Sequence, residues 1–144
     1  HCLNHKSSEF SEELKQVCPE GIDVYFENVG GKVLNSVLPL LNDFARIPVC
    51  GIISAYNSTE LPSGPNLIPS LMRSILVKRL TFRGFIVWDF ANQEKEALQQ
   101  LAKWIKQGKL HYLEDIVDGL ENAPEAFIGL FDGKNFGKLV VRVN

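Results

Sequence analysis

The sequence is poor in cysteine. Only Cys2, Cys18 and Cys50 occur in 144 residues, far apart, odd in number and without a CxxC pair. That pattern argues against a disulfide framework or a zinc site and leaves reduced, buried thiols in a cytoplasmic protein as the expectation. No window approaches the roughly 20 consecutive apolar residues of a membrane span, and no secretory leader opens the chain, so neither a membrane nor export is expected, although the start reads as truncated. An excess of positive charge is also missing. With 15 Lys and Arg against 17 Asp and Glu the net charge is -2, so nucleic acid is not an expected partner. No complete GxGxxG, Ser-His-Asp set or carboxylate pair stands out, and His1 and His111 carry no metal-ligand spacing, so hydrolysis has no support. Repeats and low-complexity tracts are absent as well. What is present is 45% hydrophobic and 22% charged residues, enough for one domain-sized core.

The chain is organised around Gly21 to Tyr56. Ile22, Val24, Tyr25 and Phe26 form a short run of β-formers closed by Asn28 and Gly30-Gly31, as expected of a strand buried on both faces. From Val33, apolar residues at 33, 34, 37, 38 and 41 fall at helical spacing and predict a crossover helix. Ile47, Val49, Cys50 and Ile52 then supply a second buried strand. A strand-helix-strand unit of this length closes as a right-handed parallel pair, with ligands beyond the carboxyl ends of its strands. Those ends hold Asn28 to Gly31 and Gly51 to Tyr56.

On either side the signals are coarser. His1 to Lys6 reads as the tail of a strand and its turn, and Ser7 or Ser8 as the cap of a helix on Phe10, Leu14 and Val17 that Cys18-Pro19 ends. Residues 57–65 are a polar loop with proline and glycine, long enough to act as a lid. A helix follows over Leu67 to Leu76, closed by Lys78-Arg79. Next come a strand on Leu80, Phe82, Phe85, Ile86 and Val87, and a helix from Glu94 to Gln107 that buries Ala97, Leu98, Leu101, Ala102 and Ile105 before Gly108. Tyr112 to Val117 reads as a strand. Asn122 and Glu125 form a capping box for a helix that Gly133 ends, and Gly137 to Val143 is a last strand.

Residue by residue, the chemistry stays open. Asn28 at a strand end can bond a ligand's sugar or amide, or cap its own turn. Gly30-Gly31 is a weaker sign of a phosphate cradle than of a tight turn. Tyr56 can donate to a ribose or a developing oxyanion, or serve as an aromatic prop. His5 and Lys6 suit a phosphate but equally a solvated turn. Asp23, inside a buried strand, requires a partner.

Longer stretches narrow the choice. ENVGG at 27–31, ARIPVCGIISAYN at 45–57, LPSGP at 61–65, GFIV at 84–87 and DGLENAPEAFIGLFDGKNFGKLVVRV at 118–143 resemble the zinc-independent medium-chain dehydrogenase/reductases. The similar branch is that of the NADPH-dependent curcumin reductases, prostaglandin reductases and leukotriene hydroxydehydrogenases. The resemblance implies an α/β fold: a partial Rossmann-type parallel sheet flanked by helices over 1–110, then a strand-helix-strand segment over 111–144 that belongs to a catalytic domain. It implies a reductase moving hydride from NADPH to the β-carbon of an α,β-unsaturated ketone or aldehyde. Asn28 and the segment Cys50, Gly51, Ile52, Ile53, Ser54, Ala55 and Tyr56 would border the dinucleotide. Phe85, Ile86 and Val87 would run past the nicotinamide, and Asn135 would reach the same region. Tyr56 resembles the tyrosine that binds the nicotinamide ribose and polarises the substrate carbonyl, and His5 stands where relatives place a tyrosine near the 2′-phosphate.

Members of that family also carry an amino-terminal catalytic domain, two earlier strands and a glycine-rich loop that are not in these 144 residues. The expectation is therefore a chain that alone neither reduces enones nor binds NADPH tightly. The strand at Val24 to Phe26 becomes an exposed edge, separated by a gap from the strand at Cys2, and self-association, as a homodimer or otherwise, or a displaced amino terminus follows. Two other readings remain, a non-catalytic association module on a nucleotide-binding fold, and a quinone reductase.

Overall fold

The computed structural model describes residues 1–60 and 66–143. The chain divides into two compact units, His1–Asp89 and Phe90–Asn144. In the first, α1 (Phe10–Val17) precedes β1 (Ile22–Val24), α2 (Gly31–Val37), β2 (Leu41–Val49), α3 (Ile68–Lys78) and β3 (Thr81–Gly84). The three strands form one parallel sheet in the order β1-β2-β3. In the second unit α4 (Glu94–Lys106) is followed by β4 (Glu114–Asp118), α5 (Ala123–Phe131) and β5 (Lys138–Arg142), with β4 and β5 paired in parallel. The α/β class and the strand-helix-strand unit at Gly21 to Tyr56 are as the sequence predicts. No described helix is long and apolar enough to cross a membrane. The predicted lid lies partly on residues 61–65, outside the described residues.

The crossover helix is shorter than its apolar stripe. Pro39 has no N–H to continue the ladder, so α2 gives way to a 3₁₀ turn over Leu38–Leu40, and Leu41 already begins β2. The Nζ of Lys78 closes this corner, donating to the carbonyls of Leu41 at 2.6 Å and Pro39 at 3.0 Å. Along β2 the buried positions are Leu41, Ala45 and Ile47, and the register against β1 jumps between Ile22↔Leu41 and Val24↔Arg46. Phe44, at φ 63°, makes that bulge. Its left-handed backbone costs about 1–2 kcal/mol. Arg79 helps to hold it, lying 4.5 Å over the Phe44 ring and pairing with Asp43. Val37, Leu41, Ala45, Ile47 and Leu80 make the core, with Leu14, Tyr25, Ile75 and Phe82 packed on its margin.

Several expectations fail for one reason: a pattern does not reveal which faces are covered. Among the described residues β1 pairs only with β2, so it is an edge, and Val24 and Phe26 are 52% and 55% exposed rather than buried on both faces. Asp23 is exposed and accepts from Asn42 Nδ2 at 2.9 Å. Ala97, Leu98, Leu101, Ala102 and Ile105 lie on α4 but are exposed. Cys2 and Cys50 are exposed and Cys18 half-buried, all three free thiols. Residues 1–4 form no strand, and β3 stops at Gly84, with Val87 already in a 3₁₀ turn.

Two caps also differ. The N-cap of α1 is Glu9, whose N–H donates to Ser7 Oγ in the preceding turn. Asn122 caps α5 by position only, because its amide donates backwards to the Asp118 carbonyl at 2.8 Å.

Candidate functional site

Past Val24 the backbone stays extended along β2. The N–H groups of Tyr25 and Glu27 donate to the carbonyls of Arg46 and Pro48, and Glu27 bridges Val49 in parallel. The two strand tips are then tied directly. Cys50 and Gly51 donate to the Glu27 carbonyl at 2.9 and 3.2 Å, Ile53 to that of Asn28 at 3.2 Å, and Ser54 to that of Val29 at 3.0 Å. Gly30, at φ 74° and ψ -159°, occupies a region that only glycine enters readily. The turn can therefore fold against Ser54, whose Oγ lies 3.3 Å from where a β-carbon on Gly30 would stand.

Sequence reasoning missed Glu27. It is 2% exposed, and its Oε1 accepts from the N–H groups of Val29 and Gly30, both at 2.7 Å, and from the Tyr25 hydroxyl at 3.2 Å. Its Oε2 is buried and has no hydrogen-bond partner among the described residues. The available signal is an acidic residue three positions before the glycine that opens a helix, where a carboxylate can satisfy unpaired N–H groups.

Burial first, and then the charge and hydrogen bond of Glu27, hold the Tyr25 phenol well above its ordinary pKa of 10.0. The unfolded chain releases that proton near its ordinary value while the folded chain keeps it. Stability is therefore full below about pH 10 and falls as pH rises beyond it. Tyr25→Phe is expected to flatten that alkaline loss, as urea unfolding at about pH 9 and pH 11 would show. Equal losses in both proteins would remove Tyr25 as its source.

Over the joined tips the predicted residues converge on Gly51. This glycine is buried, and a β-carbon on it would stand 2.7 Å from Asn28 Oδ1 and 2.9 Å from the Tyr56 hydroxyl. Tyr56 is 58% exposed and follows a 3₁₀ turn over Ile53–Ala55. Its hydroxyl accepts from the Ile52 N–H at 3.4 Å, which leaves its own proton free to donate. Cys50, Ile52, Ile53 and Ser54 are exposed along the same stretch, and Ala55 is half-buried.

Phe85 joins this region from β3. Its N–H donates to the Val49 carbonyl at 3.2 Å, and its ring meets that of Phe26 edge-on at 5.8 Å. Ile86 and Val87 follow, both exposed. The arrangement offers one phenolic donor, one amide and apolar walls at the carboxyl end of a parallel sheet, which suits a polar planar ligand.

His5 is exposed in the first turn of the chain, and Asn135 belongs to the second unit. There the Asn135 Nδ2 donates to the Gly137 carbonyl at 2.8 Å, and the residue lines a cavity of about 280 Å³ with Asp115, Glu125 and Lys134. Among the described residues no three His, Cys, Asp or Glu side chains are placed to hold a metal ion.

Known proteins resemble the chain over nearly its whole length. A family described as zinc-binding dehydrogenase matches residues 1–141. The NADPH-dependent curcumin reductase of Escherichia coli is 55% identical over 143 residues, which are 99% of this chain and 41% of that protein. The NADP⁺-dependent 2-alkenal reductase of Nicotiana tabacum is 43% identical over 99% of this chain and 40% of its own length. The crystal structure of CurA from Vibrio vulnificus in complex with NADPH superposes with a TM-score of 0.92 at 54% identity, over all of this chain and 43% of that one. The chain thus spans about two-fifths of the length of the relatives it matches.

Proposed function

The chain belongs to the zinc-binding dehydrogenase family, and from that premise we propose that it forms the nicotinamide end of an NADPH site in a reductase of α,β-unsaturated ketones and aldehydes. The observation that carries this reading is the convergence of Asn28 Oδ1 and the Tyr56 hydroxyl over Gly51 at the tips of two parallel strands. A β-carbon on Gly51 would crowd both side chains, so a glycine here is what lets the amide and the phenol meet over the strand tips. NADPH, when bound, supplies the hydride. The chain's part is to orient and polarise. Tyr56, already accepting from Ile52, donates its proton to a ribose hydroxyl or to the carbonyl oxygen on which negative charge grows. Asn28, with no side-chain bond among the described residues, offers a donor and an acceptor. By the same reading Cys50, Ile52, Ile53, Ser54, Ala55, Phe85, Ile86 and Val87 would line the approach to the cofactor, and His5 would serve its 2′-phosphate.

The finer assignments follow the same reading. Residues 1–110 represent part of the nucleotide-binding domain and 111–144 the returning segment of the catalytic domain. The reaction needs no zinc, and free exposed thiols fit the reducing cytoplasm.

The test has two arms. The 144-residue chain has no complete GxGxxG to cradle the pyrophosphate. It is expected to show no micromolar NADPH affinity by fluorescence titration and no enone-dependent NADPH oxidation. A hybrid in which these residues replace the matching segment of the E. coli curcumin reductase is expected to reduce enones faster than quinones. Micromolar affinity of the isolated chain would refute the first expectation, and a folded but inactive hybrid the reductase reading.

We also propose that the chain self-associates through β1, whose outer edge has no strand partner among the described residues and which carries exposed Val24, with exposed Phe26 just beyond it. Sedimentation should show a dimer or larger species that Val24→Lys disperses. A monomeric parent chain would contradict this.

A further inference from the structure

We propose that Glu27 is the positioning residue of the nicotinamide shelf, fixing Asn28, Gly51 and Tyr56 without touching the ligand. The proposal rests on the reading given under Proposed function, and one arm of its test does not. Glu27 holds both tips at once. Its N–H donates to Pro48 at 2.9 Å, and its carbonyl takes Cys50 and Gly51. Its Oε1 takes Val29 and Gly30, the two residues after Asn28. Asn28 is thus bracketed by groups bound to Glu27, and Gly51, over which Asn28 and Tyr56 meet, is itself bound to Glu27. The turn is tied onward, since Ile53 and Ser54 donate to the carbonyls of Asn28 and Val29, and Ile52 donates to Tyr56.

Stability by itself does not call for a carboxylate at this position. A serine or asparagine could satisfy turn N–H groups without placing an unpartnered carboxylate oxygen in the interior, and a buried polar atom without a bond is costly. A carboxylate makes short, charge-assisted bonds, and two at 2.7 Å on one oxygen fix the turn more narrowly than a neutral cap would. Such a support shell is what a site needs when small displacements of a bound ring lower its reactivity.

The test compares Glu27→Gln with Ile47→Val, a core change in β2 outside the turn. In the 144-residue chain, with no cofactor, hydrogen exchange read amide by amide should quicken in Glu27→Gln at Val29 and Gly30, and also at Cys50, Gly51, Ile53 and Ser54. Ile47→Val should not produce that pattern. Quickening confined to Val29 and Gly30 would reduce Glu27 to a local cap and overturn the proposal. In the hybrid enzyme, Glu27→Gln is expected to lower kcat about ten-fold with the KM for NADPH within about two-fold, and Glu27→Ala to lower kcat further. Equal kcat losses in Ile47→Val and Glu27→Gln would also overturn it. An inactive unsubstituted hybrid, with the linked exchange pattern still seen in Glu27→Gln of the 144-residue chain, would sink the reductase reading while supporting the positioning role.

Discussion

In the hybrid enzyme, Gly51→Val is expected to lose about 100-fold or more in kcat/KM while the sheet stays folded. Gly51 is buried, and its backbone is not among the positive-φ glycines, so the loss will come from crowding and not from backbone strain. The first added carbon would already stand 2.7 Å from Asn28 Oδ1 and 2.9 Å from the Tyr56 hydroxyl, closer than such contacts allow. Two further methyl groups must then displace both side chains. Asn28 can rotate away, but Tyr56 carries its hydroxyl on a rigid ring and loses its contact with Ile52. Misplacement by about 1 Å is enough for a 100-fold loss, whereas overpacking costs about 1–3 kcal/mol of stability. Activity should fall well before the fold does. Gly84→Ala is the control, because a β-carbon there would meet no atom of the described residues within 4 Å. Steady-state kinetics beside thermal melts separate the two effects, and a Gly51→Val enzyme as active as Gly84→Ala would show that Asn28 and Tyr56 do not form a working pair.

The difference between those two glycines could not be read from the sequence. Both stand at or just past the end of a parallel strand in a run of apolar residues, and only coordinates show that two side chains meet over one while no described atom lies over the other. The strand-helix-strand unit was legible because Ile22 to Phe26 and Ile47 to Ile52 are β-forming runs, separated by a helical stripe and punctuated by Gly30-Gly31. Asn28 and Tyr56 were legible for the same reason, as polar residues at the ends of those runs. Burial was not. Val24 and Leu98 carry the pattern of covered residues but are exposed, since periodicity reports a face and not what lies on it. Phe44 escaped notice because nothing in LNDFARIPV marks a left-handed phenylalanine. Glu27 was passed over because an acidic residue at a strand end is ordinary, and its burial depends on backbone groups that the turn supplies only after folding.

That buried carboxylate makes the second large effect. Glu27→Ala is expected to destabilise the unit His1–Asp89 by about 2–4 kcal/mol. The substitution leaves three donors without their acceptor, the N–H groups of Val29 and Gly30 and the Tyr25 hydroxyl. Hydrogen bonds to a charged group contribute about 1.5–3 kcal/mol each, so their loss alone would exceed this range. Two effects offset it. The unpartnered Oε2 disappears, recovering about 1–3 kcal/mol. Val29 is only half-buried, so water can reach part of the vacated space. The donors still outweigh the orphan, three groups against one. Against a total stability of about 5–15 kcal/mol for a typical domain, and a core of five buried apolar side chains among the described residues, the loss is large. It should lower the melting midpoint of this unit by roughly 10 °C or more. Glu27→Gln, which keeps an acceptor for the two N–H groups, should recover about half of it. Should urea unfolding find Glu27→Ala as stable as the parent chain, the carboxylate's desolvation cancels its bonds, and the turn before α2 owes its shape to Gly30 and Gly31 instead.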